Sequence, residues 1–501
     1  MPSMSVLPSI RSPLAVLALL LLVPGAATAA PPGEIAPEVA TEPQDLPVHE
    51  AHSERLDQPH IVPSGPRQTT PRRVVTRNGF TSVQVNVDGA GMNIVGDAAN
   101  EPSIAIDPTN LDRMAIGWRQ FDTIASNFRQ AGAGRTTDGG LTWTATTLDP
   151  GVFRSDPILD STSDGRFYYH SLQSTLLADA FTSPDAGATW GDPVFAFGGD
   201  KAWAAADRSG GPGNAHFYAH WSPLFGCCDS AVFNRTTDGG DSFENPVDPG
   251  EDFTWGTVAV GSQGEVYVVG RKVSSGSEFS VAKSTTVQNP DDPMAFDFVA
   301  DLDMGGFLGA SAGPNPGGLL GQMWIAPARG LGVGNQVYVL SSLNPPGSDP
   351  LDVHFARSDD GGLTWSAPRR LNDDPPGAWQ WFGTLSVAPN GRLDAIWNDS
   401  RADPGGFDSA LYYTTSSDGG DNWTPPIAVS PSFDPHIGWP NQNKIGDYYD
   451  MVSTTDAAHV AYSATFNGEQ DVYYLRITLD AFVFDDGFES GDTSAWSLVE
   501  P

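Results

Sequence analysis

The chain is patterned in short runs of apolar, β-branched and aromatic residues, and Gly, Pro, Asp or Asn bounds almost every run. These runs come in groups of three. The stretches "PSIAID", "RMAIGWR" and "FRQAGAGRT" form the first group, and "DPILDS", "GRFYYHSL" and "LADAFTS" form the second. Within the groups no long apolar run has helical spacing. The pattern therefore predicts short antiparallel strands joined by turns, and hence an all-β fold.

A Ser/Thr-x-Asp-x-Gly-x-x-aromatic motif follows the third run in five of these groups. Its copies are "RTTDGGLTWTA" from Arg135, "TSPDAGATWGDP" from Thr182, "RTTDGGDSFENP" from Arg235, "RSDDGGLTWSAP" from Arg357 and "TSSDGGDNWTPP" from Thr415. Two further groups also contain three runs. In one of them the motif is barely recognisable, and in the other it is absent. Seven repeats of about 40 to 60 residues thus lie between Asn100 and Leu479. Small repeated sheets of this length predict a β-propeller of seven four-stranded blades, with six blades as the alternative.

The last repeat ends at Leu479 without a fourth strand. The segment Phe80–Asp88 lies before the first repeat, and its residues alternate as those of a half-buried strand do. We predict that this segment pairs with residues 471–478, completes the last blade and closes the ring. Closure removes the open sheet edge that a propeller otherwise exposes.

The motif predicts a turn between the third and fourth strands of a blade. Its carboxylates are placed to accept hydrogen bonds from the backbone of that turn, and they belong to Asp138, Asp185, Asp238, Asp360 and Asp418. The glycine two positions later allows a positive φ. A turn motif that recurs from blade to blade serves the fold of each blade. We therefore do not expect these carboxylates to be catalytic.

The two ends of the chain differ from the repeats. An apolar run, Leu14–Pro24, and the stretch "GAATAA" predict a signal peptide over residues 1–29, with an uncleaved N-terminal anchor as the alternative. Residues 30–73 are rich in Pro, Glu, Ala and Thr and predict a disordered leader. The propeller is expected over residues 74–480 and a separate tail over 481–501. The mature chain is therefore predicted to be secreted, extracellular or periplasmic, without a transmembrane segment.

The chain of 501 residues has a net charge of −35, from 26 basic and 61 acidic residues. Such a surface repels polyanions and excludes nucleic acid as a partner. Asp-rich stretches such as "NDSRADPGGFDS" lack the spacing of an EF-hand loop. No motif requires a cofactor. Ca²⁺ as a structural ion stays an alternative, and its ligands are unknown.

The two cysteines, Cys227 and Cys228, are adjacent, which excludes a disulfide-stapled scaffold. In an exported protein the pair can close on itself as a vicinal disulfide, which is the first interpretation. Two packed thiols are the second. A metal site with His216 and His220 is the third.

The repeated "TTDGGLTW" type of motif resembles the Asp-box, or BNR repeat, of the sialidase-like superfamily, in its secreted bacterial type. The resemblance covers nearly all of residues 100–476 and implies a protein that acts on glycans. Sialidases hold the substrate carboxylate with three arginines, use a Tyr–Glu pair as nucleophile and use an Asp as acid/base. Their first arginine stands in an Arg-Ile-Pro motif, whereas "EPSIAI" carries Glu101 and no arginine. Sialidases also have six blades, so no catalytic residue carries over by position.

Candidate site residues lie on the face opposite the motif turns, where the innermost strands begin. Asp156 and Asp399 are acid/base candidates and Tyr448 is the candidate nucleophile. The candidate substrate-binding residues are Arg119, Arg271, Arg401, Trp203 and Trp381. The arginines suit a carboxylate because each guanidinium offers a planar pair of donors, and the tryptophans can stack on sugar rings. In the alternative interpretation each arginine pairs with a neighbouring carboxylate, and the aromatic residues are core.

These observations predict a secreted sialidase-like propeller that acts on or binds glycans. If it is an enzyme, we expect a glycoside hydrolase for acidic sugars, of the exo-sialidase type. The first alternative is a non-catalytic propeller that binds a glycan or a protein. The second is a polysaccharide lyase, for which His170, His216 and His220 with Tyr218 are the base candidates. The expected partner is a glycan or glycoconjugate, and the expected state is a monomer.

Overall fold

The computed structural model describes residues 59–275, 277–329 and 334–478. The predicted signal peptide and tail lie outside these residues, as does most of the predicted leader. Within the part of the chain that is described, every regular element is a strand, and no helix is long and apolar enough to span a membrane. Residues 59–73 of the predicted leader include a short strand, and His60 and Arg67 both contact Asp122.

The strands form seven sheets, here called blades 1 to 7, and two small ribbons. The N-terminal strands are β1 (Thr69–Pro71), β2 (Val74–Arg77), β3 (Phe80–Gln84) and β4 (Met92–Ile94). Blade 1 contains β5 (Ala98–Ile106), β6 (Met114–Phe121), β7 (Gln130–Thr136) and β8 (Thr144–Leu148). Blade 2 contains β9 (Ser155–Ser161), β10 (Phe167–Leu172), β11 (Ala178–Ser183) and β12 (Val194–Phe195). Blade 3 contains β13 (Trp203–Ala206), β14 (Phe217–His220) and β15 (Phe233–Thr236).

The second half of the ring follows the same order. Blade 4 contains β16 (Phe253–Thr254), β17 (Val258–Val260), β18 (Val266–Lys272), β19 (Phe279–Ser284) and β20 (Phe298–Leu302). A ribbon of β21 (Ala310–Ala312) and β22 (Asn315–Leu319) follows it. Blade 5 contains β23 (Trp324–Pro327), β24 (Val337–Leu343), β25 (Asp352–Ser358) and β26 (Arg369–Arg370). Blade 6 contains β27 (Gln380–Val387), β28 (Leu393–Asp399), β29 (Ala410–Ser416) and β30 (Ile427–Ala428). Blade 7 contains β31 (Asp450–Ser453), β32 (Ala457–Ala464) and β33 (Asp471–Thr478).

The predicted seven-bladed propeller is confirmed. The innermost strands contact one another in the order β5, β9, β13, β17, β23, β27 and β31, and β31 contacts β5 again. The predicted closing strand is also confirmed, because β3 pairs with β33 through Ser82 opposite Leu475. β2 adds a fifth strand outside β3, so the last blade is wider than predicted.

Blade 3 is narrower than the predicted four strands. Beyond β15 only an isolated bridge joins Phe233 to Val247. Pro246 and Pro249 flank that bridge. Proline has no backbone N–H to donate to a neighbouring strand, and this accounts for the missing ladder.

One carboxylate organises each motif turn. At Asp238, Oδ1 accepts hydrogen bonds from Thr236 Oγ1 (2.8 Å) and Ser242 N (3.0 Å), and Oδ2 accepts one from Ser242 Oγ (2.6 Å). Equivalent bonds surround Asp138, Asp185, Asp360 and Asp418. Partial burial alone raises the pKa of Asp238, but the hydrogen bonds from Ser242 and Thr236 outweigh it and hold this pKa below its ordinary value. The bonds lie within a single turn, so each of the five blades that contain the motif is stabilised by its own copy.

We expect Asp238→Ala to lower the free energy of unfolding at pH 7 by about 1 kcal/mol, since several partly exposed hydrogen bonds are lost together. Urea unfolding measures the change. Asp241→Ala is the matched control, because Asp241 lies on the same turn and makes no hydrogen bond or ion pair with the described residues. An equal loss in both variants would contradict a bonding role for Asp238.

Candidate functional site

Charged residues with a left-handed backbone stand where the innermost strands of three successive blades begin. Glu101 (φ 51°), Asp156 (φ 46°) and Lys201 (φ 54°) hold this position in blades 1 to 3, and Trp255 and Phe382 hold it in blades 4 and 6. The strand register shifts at this point in blades 1, 2 and 6, as in a β-bulge. A positive φ is unfavourable for residues with a Cβ and is enriched at functional sites. We call this end of the ring the cluster end, and the end with the motif turns the turn end.

Five ionisable side chains meet at the cluster end and form what we call the axial charge cluster. Glu101 Oε1 lies 3.1 Å from Arg119 Nη2 and 3.5 Å from Lys444 Nζ. Asp447 Oδ2 accepts hydrogen bonds from Lys444 Nζ (2.7 Å) and Lys201 Nζ (2.8 Å). None of the five is more than 5% exposed. The cluster therefore joins blades 1 and 3 to the segment that precedes blade 7.

Neutral and backbone groups complete the shell of the cluster. Arg119 Nε donates to Asn100 Oδ1 (2.8 Å), and Arg119 Nη2 donates to Gln442 Oε1 (3.3 Å). Lys201 also donates to Asp200 Oδ1 at 3.1 Å. Buried charges are tolerated in proteins only with such partners, because unpaired ones carry the full cost of leaving water.

Burial raises the pKa of Glu101 to about 8, and the negative charges of Asp447 and Asp156 add to that effect. The positive charges of Arg119 and Lys444 act in the opposite direction without cancelling it. A carboxyl group in this environment keeps its proton at neutral pH. It can therefore donate a proton, as a general acid must.

Asp156 and Tyr448 lie beside Glu101. Ser155 Oγ donates to Asp156 Oδ1 at 2.6 Å, and the Tyr448 hydroxyl donates to the Pro157 carbonyl at 2.9 Å. Burial raises the pKa of Tyr448 well above its ordinary value, and the charges of Glu101 and Asp156 raise it further. Tyr448 is therefore a neutral phenol that donates a hydrogen bond.

Aromatic and imidazole groups form the wall of this region. The Trp203 ring packs edge-on against Trp324 (4.8 Å between centroids) and Tyr448 (5.3 Å). His170 is buried, and neither of its ring nitrogens has a hydrogen-bond partner among the described residues. Burial lowers the pKa of His170 to about 4, although Asp156 acts in the opposite direction. His170 is thus neutral at physiological pH.

Four of the residues singled out in the sequence lie together at the cluster end: Asp156, Tyr448, Arg119 and Trp203. The other four lie in their own blades. Arg401 Nη2 donates to Asp399 Oδ2 at 2.8 Å, and Arg401 Nη1 donates to Asp373 at 2.6 Å. Arg271 stacks on Trp255 at 4.0 Å, and Trp381 Nε1 donates to Ser409 Oγ at 3.0 Å. Arg119 and Arg401 each pair with a carboxylate of their own blade, as the alternative interpretation expects.

Two chain segments cover the axial charge cluster, and we call them together the cap. They are the β21–β22 ribbon and residues 434–447. Asn315 Nδ2 donates to the Gly446 carbonyl (2.8 Å), and Ile445 N donates to Asn315 Oδ1 (3.0 Å). Leu319 N donates to Asp447 Oδ1 at 2.9 Å, which ties the ribbon directly to the cluster. The cluster is enclosed in this structure, and two of its members, Lys444 and Asp447, belong to the cap.

Position along the chain places Lys201 on this face, but nothing in the sequence assigned a role to it or pointed to Lys444. Lysine occurs at only four positions in the chain, namely 201, 272, 283 and 444. Two of the four are buried in the cluster. Lysine is among the residues least often buried unless it is paired. In a chain with only four lysines, each one is therefore a candidate for a specific ion pair, and this was the signal that the sequence offered.

Two further sequence candidates lie away from the cluster. Cys227 and Cys228 are joined by a disulfide in the structure. Their neighbour in the sequence, His220, is buried without a hydrogen-bond partner for either ring nitrogen. Within residues 59–275, 277–329 and 334–478, no three His, Cys, Asp or Glu side chains are grouped as metal ligands.

Comparisons with known proteins show similarity at low identity. No protein-family model and no curated protein sequence matches the chain. A protein of unknown function from Dyadobacter fermentans is 15% identical with a TM-score of 0.46, over 81% of this chain and 99% of that chain. An α-L-arabinofuranosidase from Fusarium graminearum, in complex with an iminosugar inhibitor, is 11% identical with a TM-score of 0.42, over 83% and 99%. A Hadza microbial sialidase is 11% identical with a TM-score of 0.40, over 77% and 66%.

Proposed function

We propose that the protein hydrolyses a glycosidic bond of an acidic glycan at the axial charge cluster. The observation that carries this proposal is the Glu101 carboxyl group, whose pKa is raised to about 8 beside a second acidic side chain, Asp156. Glycosidases use two carboxyl groups, of which one must be protonated and the other ionised at the working pH. We further propose that the protein works outside the cytoplasm, as its N-terminal sequence predicts.

The proposed roles follow from the chemistry of the groups. Glu101 donates its proton to the leaving glycosidic oxygen as the bond to the anomeric carbon breaks. Asp156 accepts a proton from the water molecule that adds to that carbon, and exchange with solvent then restores both groups. Arg119 and Lys201 supply the positive charge that attracts a sugar carboxylate. The cap opens to admit the sugar and excludes bulk water when it closes.

The test is an activity screen on fluorogenic glycosides of acidic and neutral sugars and on uronic polysaccharides. We expect cleavage of an acidic substrate and a loss of about 100-fold or more in kcat/KM for Glu101→Gln, the usual scale for a general acid. Activity should fall as the pH rises through about 8, since Glu101 then loses the proton that it must donate.

Asp399→Asn is the matched control. It neutralises a buried carboxylate in blade 6, which the sequence also indicated, and it leaves the cluster intact. Its kcat/KM should stay within about threefold of the wild type. If Asp399→Asn abolishes activity and Glu101→Gln does not, the active site lies in blade 6 and the proposal is wrong. Melting temperatures of both variants separate a loss of chemistry from a loss of fold.

A second candidate function is glycan binding without cleavage. The pairing of Arg119 and Arg401 with carboxylates of their own blades favours it over a sialidase-type arginine clamp. Glycan-array binding by a protein that cleaves no substrate in the screen would support this candidate. Release of an unsaturated uronic product would instead indicate a lyase.

A further inference from the structure

The ring contains a cavity at the turn end, where the innermost strands finish. It has a volume of about 450 Å³ and continues into a narrower cavity of about 100 Å³ along the axis. Arg208, Arg329 and Asp160 line both parts. We propose that this cavity binds a small organic carboxylate through Arg208 and Arg329. The two arginines lie at the turn end, whereas the axial charge cluster lies at the opposite end of the innermost strands. Trp203 and Trp324 line the narrower cavity between them.

Arg208 is held in place by blade 2. Its Nη1 donates to Asp160 Oδ1 at 2.6 Å and to Ser161 Oγ at 3.1 Å. Asp160 Oδ2 accepts a further hydrogen bond from Ala206 N at 2.8 Å. Asp160 Oδ1 also accepts a hydrogen bond from Ser161 N at 2.8 Å. Three of the roughly four acceptor positions of this carboxylate are therefore occupied, which leaves little capacity for a second guanidinium.

Arg329 lies two residues after the end of β23 and has no ion pair or side-chain hydrogen bond with the rest of the described chain. Burial lowers the pKa of Arg329 to about 10, the positive charge of Arg208 lowers it further, and Asp160 acts in the opposite direction. In the wider part of the cavity two guanidinium groups thus share the space with one carboxylate, Asp160, whereas Asp450 lines only the narrower part. A bound anion would balance the excess positive charge.

The remaining lining indicates the size and type of the anion. It combines apolar side chains with hydroxyl groups, namely Ile106, Leu111, Val260, Val452, Ser209, Ser262 and Thr454. The volume is that of a small-molecule site. The chain's net charge of −35 disfavours a polyanion, so the ligand is expected to carry a single negative charge. A carboxylate on a compact hydroxylated or apolar body matches both the guanidinium fork and this lining.

The test is isothermal titration calorimetry of the full chain with D-glucuronate, with inorganic phosphate and D-glucose as comparison probes. We expect glucuronate to bind and glucose not to bind. Arg329→Gln should weaken glucuronate binding at least about tenfold, the scale of a lost charge-assisted pair. Its melting temperature should not fall, because the substitution breaks no ion pair and removes repulsion from Arg208.

Arg113→Gln is the matched control, since Arg113 lies between β5 and β6 at the same end of the ring but its side chain is half exposed. It should bind glucuronate as the wild type does. Arg329→Lys keeps the charge and loses the planar fork, so its affinity should lie between those of the wild type and Arg329→Gln.

Three results would overturn the assignment. The first is unchanged glucuronate affinity in Arg329→Gln. The second is phosphate binding as tight as glucuronate binding, which would indicate a general anion site. The third is glucuronate binding that is lost in Glu101→Gln and kept in Arg329→Gln, which would place the sugar acid at the cluster end. Absence of glycosidase activity does not affect this test, so the two proposals fail independently.

Discussion

A chain that begins at residue 89 is expected to lose cooperative folding, whereas one that begins at residue 74 is expected to keep it. The first truncation removes β2 and β3, and with them the strand that closes the ring onto β33. The second removes β1, whose three residues are exposed. Circular dichroism on heating and size-exclusion chromatography would measure the difference.

The expected loss is large because most side chains of the closing segment, residues 80–87, are buried. Phe80, Val85 and Val87 are at most 5% exposed. Asn86 donates to Asp471 Oδ1 at 2.6 Å and accepts a hydrogen bond from Val472 N at 2.9 Å. Without this segment β33 presents an unpaired hydrophobic edge, which favours aggregation. A chain from residue 89 that melted within about 2 °C of the parent would contradict a closing role for β3.

Lys444→Met is expected to lower the free energy of unfolding by about 3–5 kcal/mol, the usual cost of removing one partner from a buried ion pair. Lys444 is fully buried, lies 2.7 Å from Asp447 and is one of two cations beside Glu101. The loss should grow as the pH rises through about 8, because Glu101 then ionises with one positive neighbour fewer. Chemical unfolding at pH 6 and at pH 9 measures both effects.

Lys283→Met is the matched control, since the same atoms are replaced at a half-buried lysine that lies over the Tyr267 ring. It should cost less than about 1 kcal/mol. At pH 9, adding Glu101→Gln to Lys444→Met should recover part of the lost stability, because the second change removes a carboxyl group that ionises at high pH and that the first change leaves poorly paired. A small loss in Lys444→Met together with strictly additive effects would show that the cluster is not an interacting unit.

Features that depend on nearby residues could be predicted from the sequence. The strands follow from short apolar runs, and the turns follow from a motif whose hydrogen bonds join residues only two to four positions apart, as between Asp238 and Ser242. The closing strand was predictable because the last repeat was one strand short. The narrow third blade was not predicted, although the sequence contains Pro246 and Pro249. A proline disrupts pairing only where its missing N–H would face a neighbouring strand, and the sequence does not show which strands are neighbours.

The sequence by itself determined the seven repeats, the turn chemistry and the closing strand, since each is a local pattern or a count of local patterns. Only the tertiary structure decided the candidate site. Arg119 and Gln442 are 323 positions apart and meet only because the ring closes. Asp156 and Asp399 were equal candidates in the sequence, and folding placed the first beside Glu101 and the second against Arg401. The pKa of a carboxyl group depends on its burial and on charges from distant blades, and one-dimensional order does not contain that information.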